Sequence, residues 1–214
     1  HRNSALVLPC LSQNDSGGVI FQQDMEEMAV ILFVNTCVRP QSRTRRLAME
    51  VLSRISQGND VTEIKPQNSP LTNETLELRT RLIDAGDFSH DIFNDAKLLA
   101  SANEIVIAAP YWDLSFPAAL KNYIEAVNVV GVTFSYHEDG RPYGLCRASR
   151  LIYVTTAGGP ILSEAYGYGY MSELARSFWG IRETLCIKAE GLDILGNDAE
   201  GILREAVRGI TIGA

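Results

Sequence analysis

The sequence predicts an α/β fold in which a five-stranded parallel sheet of strand order 2-1-3-4-5 is covered by helices on both faces. Short apolar segments at 29–35, 104–109 and 151–156 have the nearly continuous hydrophobicity of strands that are buried on both sides. Segments of helical periodicity lie between the strands. Because alternating strands and helices form right-handed crossovers, few topologies remain, and we expect a doubly wound sheet.

The individual elements follow from local patterns. Gly58 can end the first helix, Pro117 can open the fourth, and Asn197 with Glu200 resembles a capping box that opens the last. The predicted strands are 29–35, 60–65, 104–109, 151–156 and 185–189. The predicted helices are 44–58, 72–85, 91–100, 117–130, 170–179 and 197–208.

Residues 131–145 interrupt the alternation of strands and helices. The segment from Thr133 to Tyr136 alternates polar and apolar side chains, and Asp139-Gly140 is a favoured hairpin turn. We therefore predict a β-hairpin excursion here, which could cover a ligand or a partner.

The N-terminus differs from the rest of the chain. Met25 and Met28 stand directly before the first apolar strand, so we expect residues 1–28 to be a leader or an upstream extension. Residues 29–214 are then expected to form a single domain.

Composition excludes several classes of function. The net charge of -7 argues against nucleic acid and anionic membranes as partners, because both require a concentrated basic surface. The four cysteines are far apart and the three histidines show no metal-ligand spacing. We therefore expect reduced thiols, a cytoplasmic location and no bound metal.

Three loops are candidates for a binding site, because ligands of open α/β sheets bind beyond the carboxyl ends of the strands. Residues 36–44 offer hydroxyl and guanidinium groups at a helix N-terminus, which suits a phosphate but equally suits ordinary helix capping. Tyr111 and Trp112, in the loop 110–117, suit a planar ring or a cap on the core. Gly158 and Gly159 allow close backbone approach, or simply a turn.

The first loop leaves a second interpretation open. It has no glycine-rich ATPase or dinucleotide-binding motif, but Cys37, Arg43 and Thr44 match Cys-x5-Arg-Ser/Thr, the phosphate cradle of tyrosine phosphatases. Pro40 removes an amide from such a cradle, and the sequence has no Asp-Pro dipeptide for a general acid. An enzyme similar to the low-molecular-weight phosphatases therefore ranks second.

Taken together, the chain from residue 29 onward resembles the FMN-dependent NADH:azoreductase and NAD(P)H:quinone reductase family of the flavodoxin-like superfamily. The resemblance rests on AAPYWDLSFPAALKNYIEAV (108–127), GVTFSYHEDGRPYGL (131–145), TTAGGP (155–160) and KAEGL (188–192). It implies a flavodoxin-like FMN-binding domain. Asp113 stands where relatives commonly carry Asn, and Ala157 stands where several carry a larger polar residue.

The resemblance also implies roles for individual residues. Ser42, Arg43 and Thr44, assisted by Thr36, would hold the FMN phosphate. The isoalloxazine would lie along the aromatic loop, whose implied residues are Pro110, Tyr111, Trp112, Asp113 and Leu114. Its pyrimidine side or N5 edge would meet the glycine-containing loop, whose implied residues are Thr156, Ala157, Gly158 and Gly159.

The activity implied is a two-electron, ping-pong transfer of hydride from NADH or NADPH to quinone- or azo-type acceptors. Tyr136 would belong to the substrate pocket, and the active site would lie at a homodimer interface. A flavodoxin-type electron carrier and a regulatory module that has lost FMN are the non-enzymatic alternatives.

Overall fold

The computed structural model describes residues 29–67 and 70–212, and the predicted leader at 1–28 lies outside them. The strands are β1 Val30–Asn35, β2 Asp60–Ile64, β3 Glu104–Ala108, β4 Phe134–Tyr136, β5 Pro142–Gly144, β6 Arg150–Thr156 and β7 Glu183–Ala189. The helices are α1 Arg43–Ile55, α2 Asn73–Asp84, α3 Asn94–Ser101, α4 Ala118–Val127, α5 Tyr168–Leu174 and α6 Ala199–Arg208. None of the helices in these ranges is both long enough and apolar enough to span a bilayer.

The main sheet has the order β2-β1-β3-β6-β7, and every neighbouring pair of strands is parallel. This arrangement is the predicted 2-1-3-4-5 order once the hairpin strands are set aside. Strands β4 and β5 pair with each other in antiparallel fashion, which confirms the hairpin excursion. The carboxyl ends of β1, β3 and β6 therefore lie side by side at one edge of the sheet.

The core has two halves, one on each face of the sheet. Side chains alternate along β1, so that Leu32 and Val34 pack among α3, α4 and α5, whereas Ile31 and Phe33 pack against α1 and α6. All four side chains are at most 1% exposed. The central strands consequently need apolar residues at nearly every position, which is the pattern that predicted them.

Several predicted boundaries differ from the structure at helix ends. The segment 170–179 divides into α5 and a π-helical turn, Ala175–Trp179, which ends at Gly180 with a φ of 78°. The last helix is capped by Asp198, whose carboxylate accepts from the Gly201 amide, so the proposed Asn197 cap is wrong. The Asn197 side chain instead donates to the carbonyl of Gly191 at 2.8 Å.

The hairpin is anchored to the π-helical turn. A β-carbon on Gly144 would lie 2.0 Å from the backbone of Trp179 and Gly180, so only glycine permits this approach. The buried Trp179 indole donates to the Asn128 side chain at 2.8 Å, which fixes the turn to the end of α4. The excursion is thereby held against the body of the domain.

Candidate active site

A cleft of about 590 Å³ lies at the carboxyl edge of the sheet. Its walls come from the loops after β1, β3, β6 and β7, as the topology requires of an open α/β sheet. Its size is within the range of about 300–1,000 Å³ usual for cofactor sites. The lining residues are Val38, Arg39, Pro40, Gln41, Ser42, Arg43, Thr44, Pro110, Tyr111, Trp112, Thr156, Ala157, Gly158, Leu192 and Asp193.

The N-terminus of α1 forms one end of the cleft. Ser42 is its N-cap, and its hydroxyl accepts from the Arg45 amide at 3.2 Å. The first turn of α1 contains no acidic residue, so its amide dipoles are not opposed from within the turn. Buried Thr44 places its hydroxyl oxygen 2.6 Å from that of Thr156. This hydrogen bond joins the first loop to the third.

The aromatic loop after β3 is held by backbone hydrogen bonds. The Tyr111 amide donates to the carbonyl of Thr156 at 3.0 Å, and Trp112 and Ser115 exchange two backbone hydrogen bonds. Between them, Asp113 and Leu114 have φ values of 49° and 67°. These values lie in the left-handed region, which residues other than glycine adopt only at an energetic cost. The tight turn leaves Trp112 41% exposed at the mouth of the cleft.

The loop after β6 is fixed by the loop after β7. The Ala157 amide donates to the carbonyl of Ala189 at 2.9 Å, and the Asp193 amide donates to the carbonyl of Gly158 at 2.8 Å. A β-carbon on Gly158 would lie 2.4 Å from an Asp193 carboxylate oxygen, so any larger residue here would require the Asp193 side chain to move. Because the Ala157 amide already donates to Ala189, Ala157 contributes to the cleft as a lining residue and not as a free amide donor.

Most of the predicted site residues come together in this cleft. Those that line it are Ser42, Arg43, Thr44, Pro110, Tyr111, Trp112, Thr156, Ala157 and Gly158. Five others lie outside the lining: Thr36, Asp113, Leu114, Tyr136 and Gly159.

The residues outside the lining have identifiable positions. The Thr36 hydroxyl donates to the carbonyl of Ala108 at 2.8 Å, so it ties the end of β1 to β3. Asp113 and Leu114 form the tight turn that presents Trp112. Tyr136 lies on the hairpin, half-exposed, with its ring against that of Phe134.

Sequence reasoning missed the contribution of the fifth strand of the sheet. Leu192 and Asp193 follow β7 and line the cleft. Arg43 donates to the Asp193 carboxylate at 2.7 Å and to the Leu192 carbonyl at 3.3 Å. The signal was available, because β7 is parallel to β6 and its carboxyl end must reach the same edge.

Cys37 is poorly placed to be a nucleophile. It is absent from the cleft lining, and its thiol lies 3.9 Å from the carbonyl of Ala108. Burial raises the pKa of this thiol above its ordinary value of 9.0, although a hydrogen bond with Ser42 and the charge of Arg45 act in the opposite direction. A phosphatase needs the thiolate. Across residues 29–67 and 70–212, no cluster of three or more His, Cys, Asp or Glu side chains suits a metal ion.

Comparison with known proteins identifies the family. A family described as having a flavodoxin-like fold matches residues 29–211. An FMN-dependent NADH:quinone oxidoreductase 2 of Clostridium acetobutylicum is 33% identical over 193 residues, which cover 84% of this chain and 95% of that protein. A protein named FMN-dependent NADH:quinone oxidoreductase, from Clostridium beijerinckii, is 30% identical over the same shares of the two chains.

Solved structures show the same fold. An azoreductase from Bacillus anthracis str. Sterne superposes with a TM-score of 0.71 at 22% identity, over 85% of this chain and 96% of that one. An FMN-dependent NADH-azoreductase from Bacillus anthracis str. Ames Ancestor, solved in complex with FMN, gives a TM-score of 0.67 at 20% identity, over 85% and 95% of the two chains. These structures support the fold, and the family match with the sequence relatives establishes that the chain belongs to the flavodoxin-like family of FMN-dependent NADH:quinone oxidoreductases.

Proposed function

We propose that this protein binds FMN in the cleft and reduces quinone- or azo-type acceptors with NADH or NADPH. The observation that carries the proposal is the convergence of a helix N-terminus, an aromatic loop and a glycine-containing loop on one cleft of about 590 Å³. These three parts suit a phosphate, a flat ring and a closely approached ring edge. The relatives named above are FMN-dependent, in agreement with this assignment.

The phosphate end of the cleft would be the first turn of α1. Ser42, Arg43 and Thr44 line it and bring two hydroxyls, a guanidinium and helix amides to one place. A dianionic phosphate is favoured there by the amides and by the helix dipole. Thr36 would support the phosphate site indirectly, because its hydroxyl donates a hydrogen bond to the carbonyl of Ala108 and so fixes the end of β1.

The ring would lie between the aromatic loop and the loop after β6. Pro110, Tyr111 and Trp112 offer apolar surface, and the turn at Asp113 and Leu114 sets the angle of Trp112. On the opposite side, Thr156, Ala157 and Gly158 face the cleft, and Gly159 follows directly.

FMN supplies two-electron hydride chemistry when it is bound. The residues of the cleft would orient the ring, exclude water from the sides that the two loops cover and leave the remaining side open to a second molecule. Nicotinamide and acceptor would occupy that open side in turn, which is what ping-pong turnover requires. Tyr136 lies on the hairpin, and we propose that it belongs to the substrate pocket.

A second copy of the chain would complete the site. The aromatic loop contacts the segment after β6, because the Ser115 hydroxyl donates to the carbonyl of Tyr166 at 2.5 Å and the Phe116 and Tyr170 rings are 5.6 Å apart. The apolar side chains exposed on these two segments are Trp112, Leu114, Leu162, Tyr166 and Tyr170. An exposed apolar surface beside a cleft is typical of an interface, so we include a homodimer in the proposal.

Sedimentation equilibrium of Leu162→Glu tests the dimer, because this side chain is 75% exposed in the single chain. The wild type should sediment as a dimer and the variant as a monomer. Met49→Glu, on the exposed face of α1, is the matched control and should remain dimeric. A monomeric wild type, or equal dissociation of the two variants, would refute the assigned interface.

We propose a cytoplasmic location, where the thiols of Cys37, Cys146 and Cys186 would stay reduced. The net charge of -7 fits a small-molecule partner better than nucleic acid or an anionic membrane.

The decisive experiment is a visible spectrum of the protein with FMN before and after anaerobic addition of NADH or NADPH. Retained flavin that is bleached by the nicotinamide and recoloured by a quinone supports the reductase. Accumulation of a stable one-electron form would indicate an electron carrier. Failure to retain FMN would indicate a regulatory module, and p-nitrophenyl phosphate turnover that is lost in Cys37→Ser would indicate a phosphatase.

A further inference from the structure

An ion pair crosses the phosphate end of the cleft. The Arg43 guanidinium lies 2.7 Å from an Asp193 carboxylate oxygen, and both residues line the cleft. The side chains are 37% and 68% exposed, so the pair itself contributes little to folding. Its importance lies in where it places a negative charge.

The backbone that carries Asp193 is held in place by hydrogen bonds to the loop after β6. The amides of Gly191, Leu192 and Asp193 donate to the carbonyls of Gly159, Ala157 and Gly158 at 3.0, 3.2 and 2.8 Å. The carboxylate lies directly over Gly158, where a β-carbon would be only 2.4 Å from one of its oxygens. The backbone of Asp193 therefore belongs to the cleft wall, and its exposed carboxylate is oriented by the ion pair with Arg43.

A carboxylate at this point opposes an anion. Arg43 is the first residue of α1, next to the N-cap Ser42, where the helix favours negative charge. Asp193 partly neutralises that field and uses one nitrogen of the guanidinium, Nη1, which also donates to the carbonyl of Leu192. A phosphate bound here would meet both a competitor for Arg43 and a like charge nearby.

We propose that Asp193 is a specificity-determining residue that weakens phosphate recognition by holding Arg43 away from the ligand. This inference rests on the proposed function and assigns the tuning of FMN affinity to a residue outside the three predicted loops. The amides and hydroxyls of α1 then supply most of the binding of the phosphate. Loss of the carboxylate frees Arg43 to pair with the phosphate.

The experiment compares FMN with riboflavin, which lacks only the phosphate. Asp193→Asn keeps the size of the side chain and its packing over Gly158. We expect it to tighten FMN binding about fivefold, the order expected of one removed like charge near the surface. Binding of riboflavin should change less than about twofold. Titration of flavin fluorescence measures both constants without reference to turnover.

Two further variants separate electrostatics from structure. In Arg43→Gln/Asp193→Asn the gain for FMN should disappear, because the released cation is gone. Glu205→Gln removes a charge from exposed α6, where Glu205 pairs with Arg208, and should leave both constants unchanged. The gain in Asp193→Asn should also shrink with added salt.

The possible outcomes decide between the two proposals. Weaker FMN binding in Asp193→Asn, or equal changes for FMN and riboflavin, overturns the role of Asp193 and leaves the flavin site intact. A wild-type protein that binds neither flavin overturns both proposals.

Discussion

Two neighbouring residues in the aromatic loop adopt backbone angles that the sequence does not predict. Asp113 and Leu114 have φ values of 49° and 67°, yet neither is glycine. Such angles cost L-residues about 1–2 kcal/mol each, and they persist where the surroundings impose them. Here the two hydrogen bonds between Trp112 and Ser115 impose the turn that presents Trp112 at the cleft.

Substitution of Leu114 by glycine should relieve this strain. Leu114→Gly and Leu114→Ala remove the same side-chain contacts, but only alanine keeps the β-carbon that clashes at positive φ. After allowance for the greater freedom of unfolded glycine, we expect Leu114→Gly to be more stable than Leu114→Ala by about 0.5–1 kcal/mol. Urea denaturation measures the difference, and an alanine variant equal to or more stable than the glycine variant would show that the turn is unstrained.

The Cys37 thiol should react slowly at neutral pH. Burial raises its pKa above 9.0, so the thiolate fraction at pH 7 is small and rises about tenfold with each pH unit below the raised pKa. Alkylation by iodoacetamide, followed by mass spectrometry of the Cys37 peptide, should therefore accelerate about tenfold per pH unit from pH 7 to 9. Fast alkylation independent of pH over this range would point instead to the activated thiolate of a phosphatase.

Individual site residues were predictable only where a strand end preceded them. Ser42, Trp112 and Gly158 were found because each follows an apolar run that marks a buried strand. Asp193 was missed although the strand before it was predicted, because the loop after this half-exposed edge strand was not counted among those that border the site. Its pairing with Arg43 joins residues far apart in sequence, and local patterns do not encode such contacts.

At the scale of elements, α2 depends on α4 through one side chain. The Arg79 guanidinium donates to the carbonyls of Glu125, Ala126 and Asn128 at 2.8, 3.4 and 3.4 Å. Carbonyls in the last turn of a helix lack partners within it, and a cation there also complements the helix dipole. Because none of the described residues of α2 is buried, this contact attaches the helix together with Leu82 and Ile83, which are partly buried against the core.

Replacement of Arg79 by methionine should loosen that attachment. Methionine keeps an apolar stem of similar length but leaves the three carbonyls of α4 to water, so we expect a loss of about 1–2 kcal/mol in the free energy of unfolding. Arg79→Lys keeps the positive charge but loses the planar guanidinium, so its free energy of unfolding should lie between those of the wild type and Arg79→Met. Chemical denaturation gives the order of stability, and equal stability of wild type and Arg79→Met would show that α2 docks through other contacts.

The ends of the elements were less predictable than their existence. The helix after β6 changes to π geometry at Ala175, where Trp179 must reach Asn128 and Gly144 must pass under the turn. These are tertiary requirements. The hydrophobic period predicts a helix in this segment but carries no information about a widened turn within it.

For the whole molecule, strand order followed from general rules and not from any one residue. Continuous apolar runs identified β1, β3 and β6 as central strands, and the exposed pattern of β2 places it at an edge. Right-handed crossovers then leave the observed order. The two-sided burial that makes these strands recognisable is also what makes them the most stable part of the fold.

This gradient of burial should appear in hydrogen exchange. Amides of β1, β3 and β6 should exchange only on global unfolding, whereas those of α2 and β2, whose side chains are largely exposed, should exchange by local opening. FMN at a hundredfold excess over its dissociation constant adds about 2.7 kcal/mol of stability, so exchange in the central strands should slow about a hundredfold. The amides of α2, away from the cleft, should keep their rates. Equal protection of α2 and β3 by FMN would instead mean that the domain opens as one unit, with no independent edge.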